Sequence, residues 1–398
     1  MIVNRNTTVY TDSQRSNTLL YVTAAFLYWM ALYLYVPTLP TYVESKSENL
    51  ALVGLVLSMY GLWQTIIRLP LGIAADWLGW RKPFIVVGFV LTGLGAWIMG
   101  MATSVEGLII GRAITGLAAG TWVPLLVAFS SLFPPLEAVQ ASTVLTLACS
   151  SGCMLASVAT GSLNDLGGYS LAFFLAAGTA ALALLTVLPT RERRRQPQRP
   201  TVSSIGSLIT RQSVMLPSLL NVVLHYAVYA TSFGFLPILT KQLGATDVTQ
   251  SMLMSVYLCM STLGTLAAAA TARRGRARHV VYLSFMLLLT GIGGMALAPS
   301  MPLLFVSQCC IGLSFGTGYS VLMGLSIQHV ADTERTTAMG LHQAVCGIGM
   351  FSGSWLSGLL ADAVGIRLMF GATAFACLTV ALFVLRRFAL LEQSNRGR

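Results

Sequence analysis

Two segments of this chain, one in each half, superimpose without a gap. Residues 137–173 match residues 334–370 at a constant offset of 197, pairing Glu137 with Glu334, Ala141 with Ala338, Cys149 with Cys346, Gly152 with Gly349, Gly161 with Gly358, Asp165 with Asp362, Gly168 with Gly365 and Phe173 with Phe370. The chain is a duplicated unit, so whatever one half folds into the other must fold into as well. Because the duplicated segments are long apolar runs, the repeat points to a membrane transporter whose halves enclose a path between them.

With 55% hydrophobic and only 9% charged residues and a mean hydropathy of +0.75, the 398-residue chain is too apolar for a soluble or a disordered protein. A spanning helix needs about 20 mainly apolar residues. Twelve such runs occur, centred near residues 28, 61, 93, 118, 151, 178, 226, 260, 290, 315, 347 and 377, six in each half. The expected fold is an all-α membrane protein of two six-helix bundles related by a pseudo-two-fold axis. Their expected limits are 1–188 and 214–398, joined by a cytoplasmic basic linker at 189–213 that carries Arg191, Arg193, Arg194, Arg195, Pro197, Arg199 and Pro200 before a Ser/Thr-rich stretch.

Lys and Arg are retained on the cytoplasmic side of a membrane. With both termini inside, 19 of the 24 basic residues are cytoplasmic, Lys46, Lys241 and Arg367 are outside, and Arg68 and Arg112 lie within helices. This places the chain as a multi-pass protein of the cytoplasmic (inner) membrane. The same loop positions account for the net charge of +11, so no nucleic-acid partner is called for. All seven cysteines fall in predicted spans without metal-site spacing or a C-x-x-C pair and read as packing residues. The first apolar run is long, aromatic-rich and ends at Pro37 and Pro40 without a cleavage signal, so it reads as helix 1. Neither a G-x-x-x-x-G-K-[ST] loop nor a nucleophile or metal constellation is present, which argues against an enzyme, a cofactor or direct use of ATP.

Between helices 2 and 3 the chain reads Gly72-Ile-Ala-Ala-Asp76-Trp-Leu-Gly79-Trp-Arg81-Lys82. This resembles the signature loop of the major facilitator superfamily, Gly-x-x-x-Asp-Arg-x-Gly-Arg-Arg, with Trp77 and Trp80 at two of its basic positions. Helix count, duplication, basic linker and loop position extend the resemblance over the whole chain. The corresponding second-half loop aligns at an offset of 196, where Gly275 matches Gly79 and Ala272 meets Asp76. Gly-x-x-x-Asp-x-x-Gly endings follow helix 5 (Gly161, Asp165, Gly168) and helix 11 (Gly358, Asp362, Gly365) and lie outside by topology. Helix 4, Gly111-Arg112-Ala-Ile-Thr-Gly116-Leu-Ala-Ala-Gly120, is similar to the arginine-containing motif of the drug–proton antiporter branch; Gln308 stands at the equivalent place in helix 10. The antiporter motif of helix 5 is poorly met, since Ala156, Ser157 and Thr160 replace its consensus residues.

The resemblance implies that Gly72, Asp76, Gly79 and Arg81 form a conformational latch. Asp76 would meet the N-terminal dipole of helix 11 near Glu334–Thr337 when the linker side closes, a contact of about 0.3–1 kcal/mol. A turn that caps helix 2, with Arg81 and Lys82 on lipid phosphates, is the plainer reading. Arg112, about 10 Å from the outer boundary at 1.5 Å per residue, is costly unless it faces protein or a wet cavity. It can bind an anionic substrate group or take part in coupling; the alternative is snorkelling or carbonyl binding. Arg68, with Gln64 one turn above, admits both readings equally. His225, flanked by Asn221 and Tyr229 on one stripe, faces a cavity or packs in the core, and the same choice applies to His342 beside Gln343. Among the aromatics of helix 1 (Tyr21, Tyr28, Trp29, Tyr33 and Tyr35), Tyr28 and Trp29 are the cavity candidates, together with Trp122; packing is the rival reading.

None of the 13 carboxylates falls in the middle of a predicted helix. A cation pocket or a carboxylate proton relay would normally have one there, so the charges favour an anionic, zwitterionic or neutral substrate. The resulting expectation is a monomeric secondary transporter, surrounded by lipid, that exports small amphipathic or anionic molecules (drug, metabolite or siderophore-like) by proton antiport and alternating access. Uptake of an organic acid or sugar by symport, a lipid flippase and a non-transporting sensor are the competing readings.

Overall fold

The computed structural model describes residues 12–134, 137–192, 202–272, 277–328, 330 and 335–396. Glu334, Asp332, Gly275, the linker residues Arg193, Arg194, Arg195, Pro197, Arg199 and Pro200, and the side chain of Asp76 lie outside what is described.

Among the described residues eleven helices are long and apolar enough to span a membrane, and one of them, Gln140–Val187, runs for 48 residues. That length exceeds two crossings' worth of ordinary helix. It is interrupted at Gly167 (φ −147°, ψ 19°) and Gly168 (φ 68°, ψ 177°), so it comprises two spans. The spans are α1 Gln14–Lys46, α2 Leu50–Leu78, α3 Lys82–Met101, α4 Val105–Ser130, α5 138–166, α6 169–187, α7 Gln212–Gln242, α8 Asp247–Ala272, α9 Ala277–Leu297, α10 Met301–Ile327, α11 Arg335–Val364 and α12 Ile366–Arg396. Twelve spans in two groups of six agree with the duplication.

The duplication also explains where the hairpins turn. Gly168 and Gly365, paired at the offset of 197, both have positive φ (68° and 85°) between successive spans. A side chain at such a backbone costs roughly 1 kcal/mol or more, so each copy keeps its glycine. Gly79 ends α2 in the same left-handed conformation, at φ 62°, which gives the signature-loop glycine a backbone role.

Within the first bundle α1 packs along α5 and α6, and α3 lies against α4 and α6; within the second, α10 packs against α8, α9 and α7. The bundles meet along two pairs, α2 with α11 and α5 with α8. Lipid-facing positions such as Leu166, Leu297, Leu368 and Phe375 are exposed and apolar, as a bilayer solvent allows. Inside the connection at 189–213, a short helix at Val202–Thr210 buries Leu208 with Val214, Val330, Ala338 and Leu341 against the start of α11. This packing helix within the Ser/Thr-rich segment is a structural addition to the sequence reading. At the other end of the connection, Glu192 accepts hydrogen bonds from the backbone amides of Arg81 and Lys82 (3.0 and 2.7 Å) and so caps α3, while Lys82 Nζ donates to the carbonyls of Leu188 and Thr190, both at 2.6 Å. Arg81 is buried.

Candidate functional site

The antiparallel pair α2/α11 records how the bundles are set. On the side away from the linker, Asp362 accepts a hydrogen bond from the Leu50 amide at 3.0 Å, at the very start of α2. A Cβ on Gly358 would meet the Gly54 Cα at 2.7 Å, one on Gly61 would meet the Met350 Cβ at 2.7 Å, and Gly347 lies against Thr65. Arg68 then donates to the Gln343 carbonyl at 3.2 Å. The next pair in this register is Gly72 with Gly340, and each has open space where its Cβ would be. The helices are therefore zipped on the far side and parted on the linker side.

The pair α5/α8 repeats the far-side closure. Gly161 lies against the backbone of Asp247 and Val248, and Asn164 donates to Asp247 at 2.8 Å and to Thr38 at 2.9 Å. Thr41 donates to Gln250 at 3.1 Å. The two Gly-x-x-x-Asp-x-x-Gly endings thus sit where the bundles touch, with glycines allowing backbone approach.

Three helices break beneath this closure. A 3-10 turn at Val36–Thr38 interrupts α1 ahead of Pro40, a π turn at Thr231–Phe235 interrupts α7 ahead of Pro237, and α4 is interrupted between Ala119 and Trp122. Such irregular turns free backbone groups and re-aim side chains, and they recur at functional sites. Here they gather a chain of rings that crosses from one bundle to the other. Trp122 meets Trp29 (5.5 Å), Trp29 meets Tyr33 (6.1 Å) and Tyr33 meets Phe233 of the second bundle edge-on (6.2 Å, 83°). Phe233 stacks on Tyr229 (5.0 Å) and touches Tyr257 (5.5 Å), and from there the series runs through Phe315 to His225 and Tyr319. Trp29, Tyr33, Trp122, Phe233, Phe315 and Tyr319 are all partly accessible. They form an aromatic surface between the bundles, on the side where α2 and α11 part.

Two guanidinium groups lie within the spans. Arg112 is 5% exposed, its guanidinium lies 4.3 Å over the Tyr60 ring, and its Nε and Nη1 have no hydrogen-bond partner. Arg68 is half-buried and its Nε is also unpartnered. Gln64 and Gln343 are buried with an unpartnered Oε1 each. Buried polar atoms without partners lose about 1–3 kcal/mol apiece, and guanidinium groups lose more. Together these are buried polar atoms whose hydrogen-bonding capacity is unmet in the state described.

Other candidate residues are placed elsewhere. His342 is fully buried, with Nδ1 on Ser218 and Nε2 on Asn221, both at 2.8 Å, so it ties α11 to α7. Tyr28 is fully buried, stacks on Phe89 and donates to the Ala118 carbonyl at 2.7 Å, holding α1 against the break in α4. Gln308 accepts from Ser232 at 2.7 Å and braces the π turn of α7. His225 uses Nδ1 on the Asn221 carbonyl at 2.9 Å and turns its ring toward Phe315 and Tyr319. Tyr60, Phe233, Tyr257, Phe315 and Tyr319 escaped the sequence reading. A signal existed for two of them, because Tyr60 and Tyr257 are paired at the same offset of 197.

Two helical bundles whose spans break around a run of rings that crosses between them define a membrane transporter. The chain belongs to the Major Facilitator Superfamily, whose model matches residues 21–224 and again 218–397. It is 26% identical over 372 residues to the multidrug resistance protein MdtL of Klebsiella pneumoniae, covering 90% of this chain and 92% of that protein. It is 36% identical to the inner membrane transport protein YajR of Escherichia coli, but over only 93 residues, a fifth of that protein. Its fold matches a bacterial homologue of the human lysosomal transporter Spinster, solved in an inward-facing and unoccupied conformation, with a TM-score of 0.76, 14% identity and coverage of 94% and 97% of the two chains.

Proposed function

We propose that this transporter exports small amphipathic or anionic organic molecules from the cytoplasm by proton antiport. The observation that carries the reading is Arg112, a buried cation with two unsatisfied nitrogens beside a tyrosine-rich surface. A guanidinium so placed is stabilised by an anion that supplies charge-assisted hydrogen bonds, while the rings take up the apolar body. Likeness over nearly the whole length to a protein named for multidrug resistance supports the direction of transport.

In this reading the linker side is cytoplasmic, and the state described takes substrate from the cytoplasm. Arg112 and Arg68 hold the anionic group, Trp29, Trp122 and Tyr229 the rings, and Gln64 and Gln343 the remaining polar atoms. His225 takes the proton role ahead of His342, since its ring faces the accessible aromatic surface and both nitrogens of His342 are engaged within one bundle. Gly72, Asp76, Gly79 and Arg81 latch the linker side once α2 and α11 close there. Asp76→Asn then shifts the resting equilibrium inward; unchanged accessibility to thiol reagents would count against the latch.

A thermal-stabilisation series tests the substrate class. Salicylate and benzoate as anions, tetraphenylphosphonium as a cation and a neutral sugar are added to the wild type and to Arg112→Ala. The anions stabilise the wild type and lose their effect in the variant. Stabilisation by the cation alone would refute the charge assignment.

A further inference from the structure

A cavity of about 310 Å³ opens between α9 and α12 on the outer flank of the second bundle, away from the bundle interface. Arg278 and Arg386 stand at its linker-side end, while Phe285, Leu289, Leu378 and Leu382 line its length. No carboxylate is among the described residues that line it. Arg278 donates from Nε and Nη2 to the Tyr282 hydroxyl (3.3 and 3.0 Å) and lies 5.3 Å over that ring, which fixes the guanidinium at the mouth.

The dimensions select the occupant. From Arg278 to Leu289 the groove runs about 16 Å along α9 at 1.5 Å per residue, close to half the roughly 30 Å apolar thickness of a bilayer. Two cations at one end and an apolar trough one leaflet deep match a phospholipid with an anionic headgroup, and basic pockets between helices on the cytoplasmic side recognise such lipids. The first bundle supplies an internal comparison. At the offset of 196, Lys82 occupies the place of Arg278, and its Nζ is spent on the carbonyls of Leu188 and Thr190. The paired cation of the first half is thus committed to protein carbonyls.

We infer that the α9/α12 groove is a binding site for an anionic phospholipid of the linker-side leaflet, with Arg278 and Arg386 on the phosphate and the acyl chain along Leu289 and Leu378. The site is separate from the transported substrate and stands whether or not the export reading holds; only the naming of its leaflet as cytoplasmic rests on that reading.

The test uses the full-length protein in detergent, titrated with dioleoyl phosphatidylglycerol, with phosphatidylcholine of the same chains, and with glycerol 3-phosphate and inorganic phosphate, binding being read by native mass spectrometry and thermal stability. Phosphatidylglycerol binds and stabilises, whereas phosphatidylcholine and the two water-soluble phosphates do not. The Arg278→Gln/Arg386→Gln double variant weakens phosphatidylglycerol binding at least tenfold, and Leu289→Trp weakens it by filling the trough with both charges intact. The far-side variant Lys241→Gln leaves it unchanged. Equal binding of both lipids, competition by inorganic phosphate, or undiminished binding in the charge and trough variants overturns the assignment. If the double variant fails to fold, Leu289→Trp and the lipid comparison still decide it.

Discussion

Arg68 of α2 donates a hydrogen bond to the Gln343 carbonyl of α11 at 3.2 Å, and one turn further on the paired glycines Gly72 and Gly340 stand apart in open space. The same register that brings Gly54 onto Gly358 would bring these two together if the helices closed on the linker side. If the helices close there, Gly72 of the signature loop has no side chain to hold them apart.

Gly72→Leu, and separately Gly340→Leu, place a side chain where the described state has room and the closed state does not. Both variants are expected to fold and bind ligand normally while transport falls at least tenfold, with spin-label distances across the linker side fixed at their open values. Normal transport in either variant would remove Gly72 and Gly340 from the closing contact.

At the far side the prediction reverses. A Cβ on Gly358 would already meet the Gly54 Cα at 2.7 Å, and overpacking costs about 1–3 kcal/mol. Gly358→Leu should therefore bias the population toward far-side opening, read as longer far-side distances and greater labelling of a cysteine placed at Val53. A lower thermal midpoint with unchanged distances would mean that the strain is absorbed locally.

Replacing Arg112 separates charge from geometry. Loss of a charge-assisted contact of about 1.5–3 kcal/mol weakens anion binding by roughly 10- to 150-fold in Arg112→Ala. Arg112→Lys keeps the charge but not the flat face that stacks on Tyr60 or the forked donors, and should recover only part of the loss in an equilibrium titration with salicylate. Full recovery would show that a point charge suffices.

His342→Phe leaves Ser218 and Asn221 without their ring partners inside the second bundle, at a cost of about 1–3 kcal/mol for each group stranded. Chemical denaturation should show the loss, and the pH profile of transport should keep its shape. His225→Phe should do the opposite, changing the pH profile with little effect on stability. If the two outcomes are exchanged, His342 carries the proton.

The arrangement of this molecule was largely legible in its sequence because apolar length and duplication are one-dimensional signals. The positive-φ glycines Gly168 and Gly365 and the helix-interface glycines Gly161 and Gly358 follow directly from the 197-residue offset. The site was legible in part. A charge inside a span announces itself, so Arg112 and Arg68 stood out. Phe233 was passed over because it sits in the irregular turn at Thr231–Phe235, which helical periodicity cannot register, and Tyr28 stood among the cavity candidates because periodicity alone does not say which face of α1 meets Phe89 and the Ala118 carbonyl. The histidines show the same limit, since only the fold reveals that Ser218 and Asn221 claim both nitrogens of His342.

In the proposed function an anion held at Arg112 leaves the cytoplasm in exchange for protons. The most direct measurement is flux of radiolabelled salicylate into proteoliposomes whose transporters present the linker side to the bath, with an acid lumen. The account requires salicylate to accumulate against the passive distribution of a weak acid, to do so only while the pH gradient lasts, and to fail in Arg112→Ala. Accumulation driven by an acid bath beyond that of protein-free liposomes, or no gradient-driven flux of salicylate that demonstrably binds, would contradict it.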